Sequence, residues 1–536
     1  MKFDVENHVY NSKRNVVFGK SGAVATSVPL SSQVGLEILK MGGNAVDAAV
    51  ATAAASAVVE PVNNGIGGDA YALVWIEEEK KLYGLNSSGF APEKMTLESF
   101  NGLDEMPKYG LKPVTVPGIP AAWSELNKKF GNLTLMDCLK PAINYAREGF
   151  VVSPTVAKIW EKDYKFYKKV FKGEEFAPWF DTFSKNGRAP LAGEIFKCED
   201  QARTLEEIAK TNAESFYRGS IAEKIDAFSK KYDGFIRKSD LEKFYPEWVE
   251  PITTDYRGYT VSEIPPNGHG LTVLMALNIL KGFDLNGSRE DSDNLHKTIE
   301  SLKLAFADTK TYITDIKHMK VKLEALLNQS YADKRRELIK DKAIQPESGD
   351  PYCGGTVYLC SADKDGNMVS YIQSNYMDFG SGIVIPETGI ALHNRGNNFS
   401  LDPEHHNVVA PLKKPYHTII PGFLSKDSEA VGAFGVMGKF MQPQGHIQVL
   451  SNMIDFGLNP QDALDAPRWQ WIKDKEIEVE HEMPKHTVYD LAKKGHDVKV
   501  IYNNLDMGRG QIIIKNEHGS YACGTESRCD GCVAVY

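Results

Sequence analysis

The sequence predicts a mixed α/β protein of the α+β class, and three observations carry that prediction. Two β-forming runs, Thr356 to Ala362 and Met368 to Ser374, flank the turn cluster Asp363-Lys364-Asp365-Gly366-Asn367 and read as a hairpin. The alanine-rich stretch Ala45 to Val59 reads as a helix buried on nearly all sides. Strand-like and helix-like patterns alternate along most of the 536 residues. That length suits several cores or one large domain, and by itself does not choose between them.

In chain order, Ala23 to Ser27 is a short β-like run ending before Pro29, and Ser31 to Leu39 has capping residues and apolar spacing for a helix, stopped by Gly42-Gly43. Asn44 caps the next helix, Ala45 to Val59, which ends at Glu60-Pro61. Asn63-Asn64-Gly65-Ile66-Gly67-Gly68-Asp69 then leads into a strand, Ala70 to Trp75. The loop lacks the Lys-Ser/Thr ending of a phosphate-binding loop and precedes its strand, so we read it as a tight turn packed against the alanine helix. A second strand from Leu82 leaves its sheet near Ser88-Gly89-Phe90-Ala91-Pro92, a place where site residues often lie.

Val114 to Gly149 reads as mainly helical, and Lys158 to Lys172, despite its aromatics and lysines, has interleaved acids and a helical period that suit a solvated helix. Further helices are expected over Glu194 to Phe216, Ile221 to Tyr232 and Leu271 to Leu280, with strands from Trp248 to Tyr256 and Tyr259 to Glu263. His269, in a Pro-Asn-Gly loop, is a candidate base, although a lone loop histidine is more often structural. Glu404-His405-His406 reads as surface, because adjacent histidines on an extended segment point apart. Gly435 to His446 reads as a strand end and glycine turn opening a helix, whose backbone N–H groups suit an oxyanion.

The net charge of −9 comes without a basic block, so neither nucleic acid nor an anionic membrane is an expected partner, and a small molecule is. Met1 to His8 is charged rather than apolar and no stretch approaches a membrane span, so a cytoplasmic location is expected. Seven scattered cysteines suit reduced thiols. Cys529-Asp530-Gly531-Cys532 lacks the second pair or histidines of a zinc site, and neither metal nor cofactor is expected.

Thr356 stands at the opening of the hairpin, directly after Gly354-Gly355. A threonine hydroxyl needs a neighbouring base to act as a nucleophile, and cutting the chain before it supplies its own freed amine. The charged stretch Lys334 to Gly349, poor in large apolar residues, reads as a linker that would let the new upstream end move away. Self-cleavage at Gly355-Thr356 is therefore expected.

Taken together these segments resemble the γ-glutamyltranspeptidase family of N-terminal nucleophile hydrolases. The resemblance rests on the ordered set Ala25 to Leu30, Gly42 to Ala49, Gly65 to Gly68, Thr356 with its Asp363 to Asn367 turn, Asp455 to Leu458, Ala466 to Arg468 and Ser527 to Gly531. Pro266-Asn267-Gly268, Gly435 to Gly438 and Gln442 to Gly445 look more like a bacterial branch that includes oxamate amidohydrolase. The resemblance implies a four-layer αββα sandwich and an autoprocessed zymogen. Residues 1–355 would form a large subunit and 356–536 a small one, intertwined in one domain, with pairing of such heterodimers a further expectation. It implies that Thr356 is the nucleophile for both cleavage and catalysis, that Ser374 is its hydroxyl partner, and that Gly438 and Lys439 stand at the family's paired oxyanion glycines.

The departures bear on substrate. An arginine that holds the glutamyl carboxylate in glutathione-degrading members is replaced by Ser88, Gly89 and Phe90, the amine-binding aspartate appears as Asn398, an asparagine appears as Tyr376, and a serine pair appears as His417-Thr418. Losing both charged contacts disfavours a zwitterionic head group. Arg395, Lys439 and Arg509 remain as cations for a different small acid. The expected function is hydrolysis of a small acyl amide through an acyl-Thr356 ester, passed to water or an amine. True γ-glutamyl hydrolysis or transfer is the same-family alternative, and an uncleaved non-catalytic binding protein is the alternative from another class.

Overall fold

A computed structural model describes residues 13–346 and 356–536. Two seven-stranded sheets lie face to face at its centre. One runs, edge to edge, Val17–Gly19, Tyr521–Thr525, Arg509–Lys515, Glu429–Met437, Gly422–Lys426, Tyr259–Glu263 and Ile252–Tyr256. The other runs Cys532–Val535, Ala23–Thr26, Val357–Ala362, Met368–Ser374, Asp69–Ile76, Lys81–Ser87 and Glu247–Val249. Neighbours in both sheets pair antiparallel. Tyr358, Ile372 and Leu73 meet Phe434, Val436 and Ile512 between the sheets, and the aromatic ring of Tyr358 lies where any side chain at 435 would stand, which is why that central strand carries Gly435. Helices cover both outer faces, completing the four αββα layers expected.

The helix Ala45–Val59 shows how local sequence sets this arrangement. The Asn44 side chain accepts from the Val46 and Asp47 N–H groups while the Asp47 carboxylate accepts from the Asn44 N–H. Every residue of the helix is buried, and small side chains allow that: Gly35 of the helix Pro29–Lys40 approaches so closely that a Cβ there would lie 2.3 Å from Thr52 Oγ1. The hairpin is tied to the same helix, because Asp363 accepts from the Ala45 N–H at 2.9 Å and from the N–H groups of Asp365 and Asn367 within its turn.

The hairpin occupies the middle of its sheet, so sequence on both sides of Thr356 contributes strands to both sheets. Its register pairs Val357 with Gln373 and Ala362 with Met368, which brings Thr356 next to Ser374.

Three expectations change. The stretch Glu194 to Phe216 is not one helix: Ile195–Phe196 pairs with Phe150–Val151, the helix begins at Glu199, and left-handed Asn212 and Ala213 break it before Glu214. The glycine loop packs on the strand ends after the hairpin as well as on the alanine helix: added Cβ atoms at Gly67 and Gly68 would lie 2.3 Å and 2.4 Å from the carbonyl oxygens of Ala391 and Ser374, and Asn64 Nδ2 donates to the Ser56 carbonyl at 3.2 Å. The proposed linker is ordered where it is described. Lys334 to Arg336 finish the helix Gln329–Arg336, Ile339 and Ala343 are buried, and Lys340 and Ile344 hydrogen-bond His296, Glu300 and Lys303 on the helix Ser292–Tyr312. Its charge pattern concealed this because the buried partners, Glu300 and Lys303, lie some forty residues upstream. Residues 347–355, and with them Gly355, lie outside the described residues. Among the described residues no helix is long and apolar enough to cross a membrane.

Candidate active site

Thr356 is fully buried and its hydroxyl donates to Ser374 Oγ at 3.1 Å. Ser374 Oγ also accepts the Tyr376 N–H at 2.8 Å. That contact holds Tyr376 at the strand's end in the left-handed region, φ 75°. A serine hydroxyl orients the threonine but has no capacity to remove its proton near neutral pH, so the base must come from elsewhere.

Two cations approach the Tyr376 ring. The Arg395 guanidinium stands 4.5 Å from the ring centroid and the Lys439 ammonium 5.0 Å, and all three residues are buried. Arg395 Nη1 donates to Thr418 Oγ1 at 2.8 Å. Five of the residues singled out from sequence thus form one connected group: Ser374, Tyr376, Arg395, Thr418 and Lys439, with Thr356 at its head.

Asp69, which sequence reasoning passed over, anchors that group. Its Oδ2 accepts from His417 Nε2 at 2.9 Å, with His393 Nδ1 at 3.1 Å and Arg395 Nε at 3.5 Å; its Oδ1 accepts from the Gly89 N–H at 3.1 Å. Only the His417 and Gly89 contacts are aligned hydrogen bonds; His393 and Arg395 approach the carboxylate without one. Burial opposes ionisation of Asp69, but its contacts with His393 and His417 outweigh it and hold the carboxyl far below its ordinary value. His417 is pushed down to about 3 by burial and then by the Arg395 charge, so it is neutral, with Nε2–H donated to Asp69 and Nδ1 accepting from the Ile419 N–H. Both its nitrogens are engaged within the protein. The available sequence signal was the aspartate at the end of the glycine loop, just before the strand.

Gly438 and Lys439 form the turn between the strand Glu429–Met437 and the helix Met441–Ile454. Their φ values of 137° and 53° explain a paired-glycine preference at this turn, and Lys439 accepts the left-handed conformation with a side chain. Two other residues stand apart from the group. Phe90 packs against Phe244, ring centroids 6.1 Å apart, and Asn398 uses its backbone carbonyl on Asn407 Nδ2 at 2.6 Å. His269 is buried beside Tyr416 Oη at 3.2 Å, and burial lowers its pKa well below the ordinary range, which fits the structural reading. His405 and His406 are half-buried rather than fully at the surface.

A cavity of about 450 Å³ opens beside the turn, its walls including Gly438, Met437, Asp378, Trp471, Asn63 and Arg509. Thr356 is not in its wall. Behind Asn63 lies Glu60, which accepts from Ser27 and, at 2.6 Å, from Asn63 Nδ2. Burial, only partly offset by the Ser27 hydrogen bond and the Arg509 charge, raises Glu60 from 4.5 to about 7. A raised carboxyl favours folding below its unfolded value of 4.5 and loses that contribution as pH rises through about 7, an effect of roughly 3 kcal/mol. We therefore expect Glu60→Gln, whose oxygen can still accept from Asn63 while its amide N–H donates to Ser27 Oγ, to remove this fall in stability; urea midpoints at pH 5 and pH 8 for variant and parent test it, and equal pH slopes would refute it.

Far from Thr356 in sequence, His296, Glu300 and His496 have donor atoms within 4.8 Å of one another, the one such group among the described residues. His296 and His496 hydrogen-bond at 2.8 Å, Lys303 Nζ sits 2.8 Å from Glu300, and His496 Nδ1 is buried without a partner. The six described cysteines are unpaired, and Cys353 lies outside the described residues.

Comparison with known proteins places this geometry. The family model described as gamma-glutamyltranspeptidase matches residues 31–536. Among curated proteins, the glutathione hydrolase-like YwrD proenzyme of Bacillus subtilis is 36% identical over 96% of this chain and 98% of its own, and the oxamate amidohydrolase proenzyme of Klebsiella pneumoniae is 32% identical over 95% and 97%. Among solved structures, a cephalosporin acylase from Bacillus halodurans is 54% identical with a TM-score of 0.97, covering 100% of this chain and 99% of its own.

Proposed function

The chain belongs to the gamma-glutamyltranspeptidase family of N-terminal nucleophile hydrolases, a family of enzymes, and from that premise we propose that Thr356, freed by cleavage after Gly355, hydrolyses a small acyl amide. The non-catalytic alternative falls with that membership. The observation that carries the reading is the 3.1 Å hydrogen bond from Thr356 Oγ1 to Ser374 Oγ at the first residue of a central hairpin.

In the precursor the Thr356 hydroxyl attacks the Gly355 carbonyl, the peptide shifts to an ester, and water opens it. Residues 1–355 and 356–536 then remain intertwined as two subunits. The released amine, with a reference pKa of about 7.7 to 8.0, is neutral in a useful fraction near neutral pH and takes the Oγ proton. Attack on the substrate carbonyl places negative charge on its oxygen, where the N–H groups of Gly438 and Lys439 would receive it. The amine product takes the proton, and water releases the acid from the Thr356 ester.

A γ-glutamyl head group asks for a cation and an anion at once. Here Arg395 already faces Asp69, and Asn398 carries no charge. That supports an acyl group other than γ-glutamyl, as does the amidohydrolase and acylase naming of relatives. On a denaturing gel the purified protein should run as two fragments, the smaller with the N-terminal sequence Thr356-Val357-Tyr358. Simple acyl anilides should then be turned over faster than a γ-glutamyl anilide. A single band that persists on incubation sinks the cleavage, and preferred γ-glutamyl turnover sinks the choice of acyl group.

A further inference from the structure

Arg509 is the exception among the buried arginines. Arg289, Arg395, Arg468 and Arg528 each have a carboxylate within 4.0 Å: Glu290, Asp69, Glu526, and the pair Glu480 and Glu526. Arg509 is only 5% exposed, yet among the described residues no carboxylate comes that near. Its Nε and Nη1 have no hydrogen-bond partner, and Nη2 reaches only the Leu505 carbonyl at 3.5 Å. Glu526, the nearest strand's acid, is committed to Arg468, Arg528 and the Gly510 N–H. Glu60 is turned to Ser27 and Asn63. A buried guanidinium with unmet donors is costly unless something arrives to pair with it.

Its position says what would arrive. Arg509 stands opposite Met437 in the antiparallel ladder, one residue before Gly438 at the oxyanion turn, and its side chain lines the cavity beside that turn. We propose that Arg509 is the anchor for a carboxylate carried by the substrate, so that the preferred amide bears one acid group. This rests on the amide-hydrolase reading above and narrows its substrate class.

The rest of the cavity suits a monoanion with an apolar body. Met437, Met441, Phe440 and Trp471 offer apolar wall to the carbon skeleton. Asp378 and Asp506 also line the cavity and would repel a dianion such as a phosphate monoester. A planar guanidinium fork matches the two oxygens of a carboxylate. At the open rim, Lys158 and Lys162 on the helix Pro154–Val170 are exposed and favour the approach of an anion.

The carboxylate could sit on the acyl part or on the amine part, and two matched substrate pairs distinguish them: glutaryl anilide against pentanoyl anilide, and 4-(pentanoylamino)benzoate against pentanoyl anilide. In the mature enzyme one acid should exceed its neutral counterpart in kcat/KM by about tenfold or more, chiefly through KM. Arg509→Gln should bring that ratio close to one while leaving turnover of pentanoyl anilide within about threefold, and Arg509→Lys should restore part of the preference. Calorimetric titration with glutarate and with 4-aminobenzoate separates this proposal from the hydrolase reading, since binding that weakens about tenfold in Arg509→Gln supports the anchor even if no amide is turned over. Absence of acid preference in both wild-type pairs, together with acid binding indifferent to Arg509→Gln, overturns it. Should Arg509→Gln fail to fold, the wild-type pairs and Arg509→Lys decide alone.

Discussion

Thr356→Ala leaves the chain uncut, a single 59.5 kDa species, and lowers amide turnover on the order of 10⁵-fold or more. The expectation follows from the chemistry at one atom. On the proposed mechanism the same Oγ begins both reactions, and among the described residues Ser374, the hydroxyl beside it, is turned to Thr356 and to the Tyr376 N–H. The substitution should hardly disturb the fold, because Ser374 keeps its backbone donor and the lost hydrogen bond is worth about 1 kcal/mol. An unchanged urea midpoint beside absent cleavage would therefore isolate chemistry from stability. Thr356→Ser retains a hydroxyl without the β-branch that restricts its rotamer, and it should still cut, more slowly. A denaturing gel and an anilide assay read both variants, and cleavage of the alanine variant before residue 356 would end the nucleophile assignment.

The second large effect is on stability. Asp69→Asn removes the one carboxylate that, among the described residues, faces the Arg395 guanidinium while keeping the shape of the side chain, and the His417 Nε2–H can still donate to the new amide oxygen. Breaking one side of a buried ion pair leaves the other charge uncompensated, with a cost of about 3–5 kcal/mol. The urea midpoint at pH 7 should fall accordingly, and Tyr376, stacked on Arg395, should loosen with it. The sign with pH is also defined. Asp69 is held below its unfolded value of 3.8, so its contribution is present above that pH and is lost as acidity carries the folded protein toward its own lower value. The variant should therefore lose stability at pH 7 but show a shallower acid transition below pH 4. A midpoint at pH 7 unchanged from the parent would show that the cluster does not hold the fold together.

Much of the molecule was legible because its signals are local. The Asx-rich turn at Asp363 to Asn367 sets the hairpin register, and the register brings Thr356 to Ser374, eighteen residues apart. The Asn44–Asp47 capping box and an unbroken run of small residues mark a helix that must be buried. Boundaries failed where contacts at long range took over. Lys334 to Gly349 reads as a linker, yet within its described part Ile344 and Lys340 find Glu300, Lys303 and His296 on a packed helix.

The same division runs through the site. By itself the sequence marked the hairpin that opens at Thr356 and the glycine turn before the helix at Met441, since each rests on a short pattern with one local solution, and the resemblance to the family supplied the roles proposed for Thr356, Ser374, Gly438 and Lys439. Only the tertiary structure decided which charges are paired. Asp69 meets His393, Arg395 and His417 across more than three hundred residues, while Arg509, brought opposite Met437 by strand order, has no carboxylate within 4.0 Å among the described residues. A charge in a sequence has no energy until burial removes its water and the fold supplies, or withholds, its counter-ion.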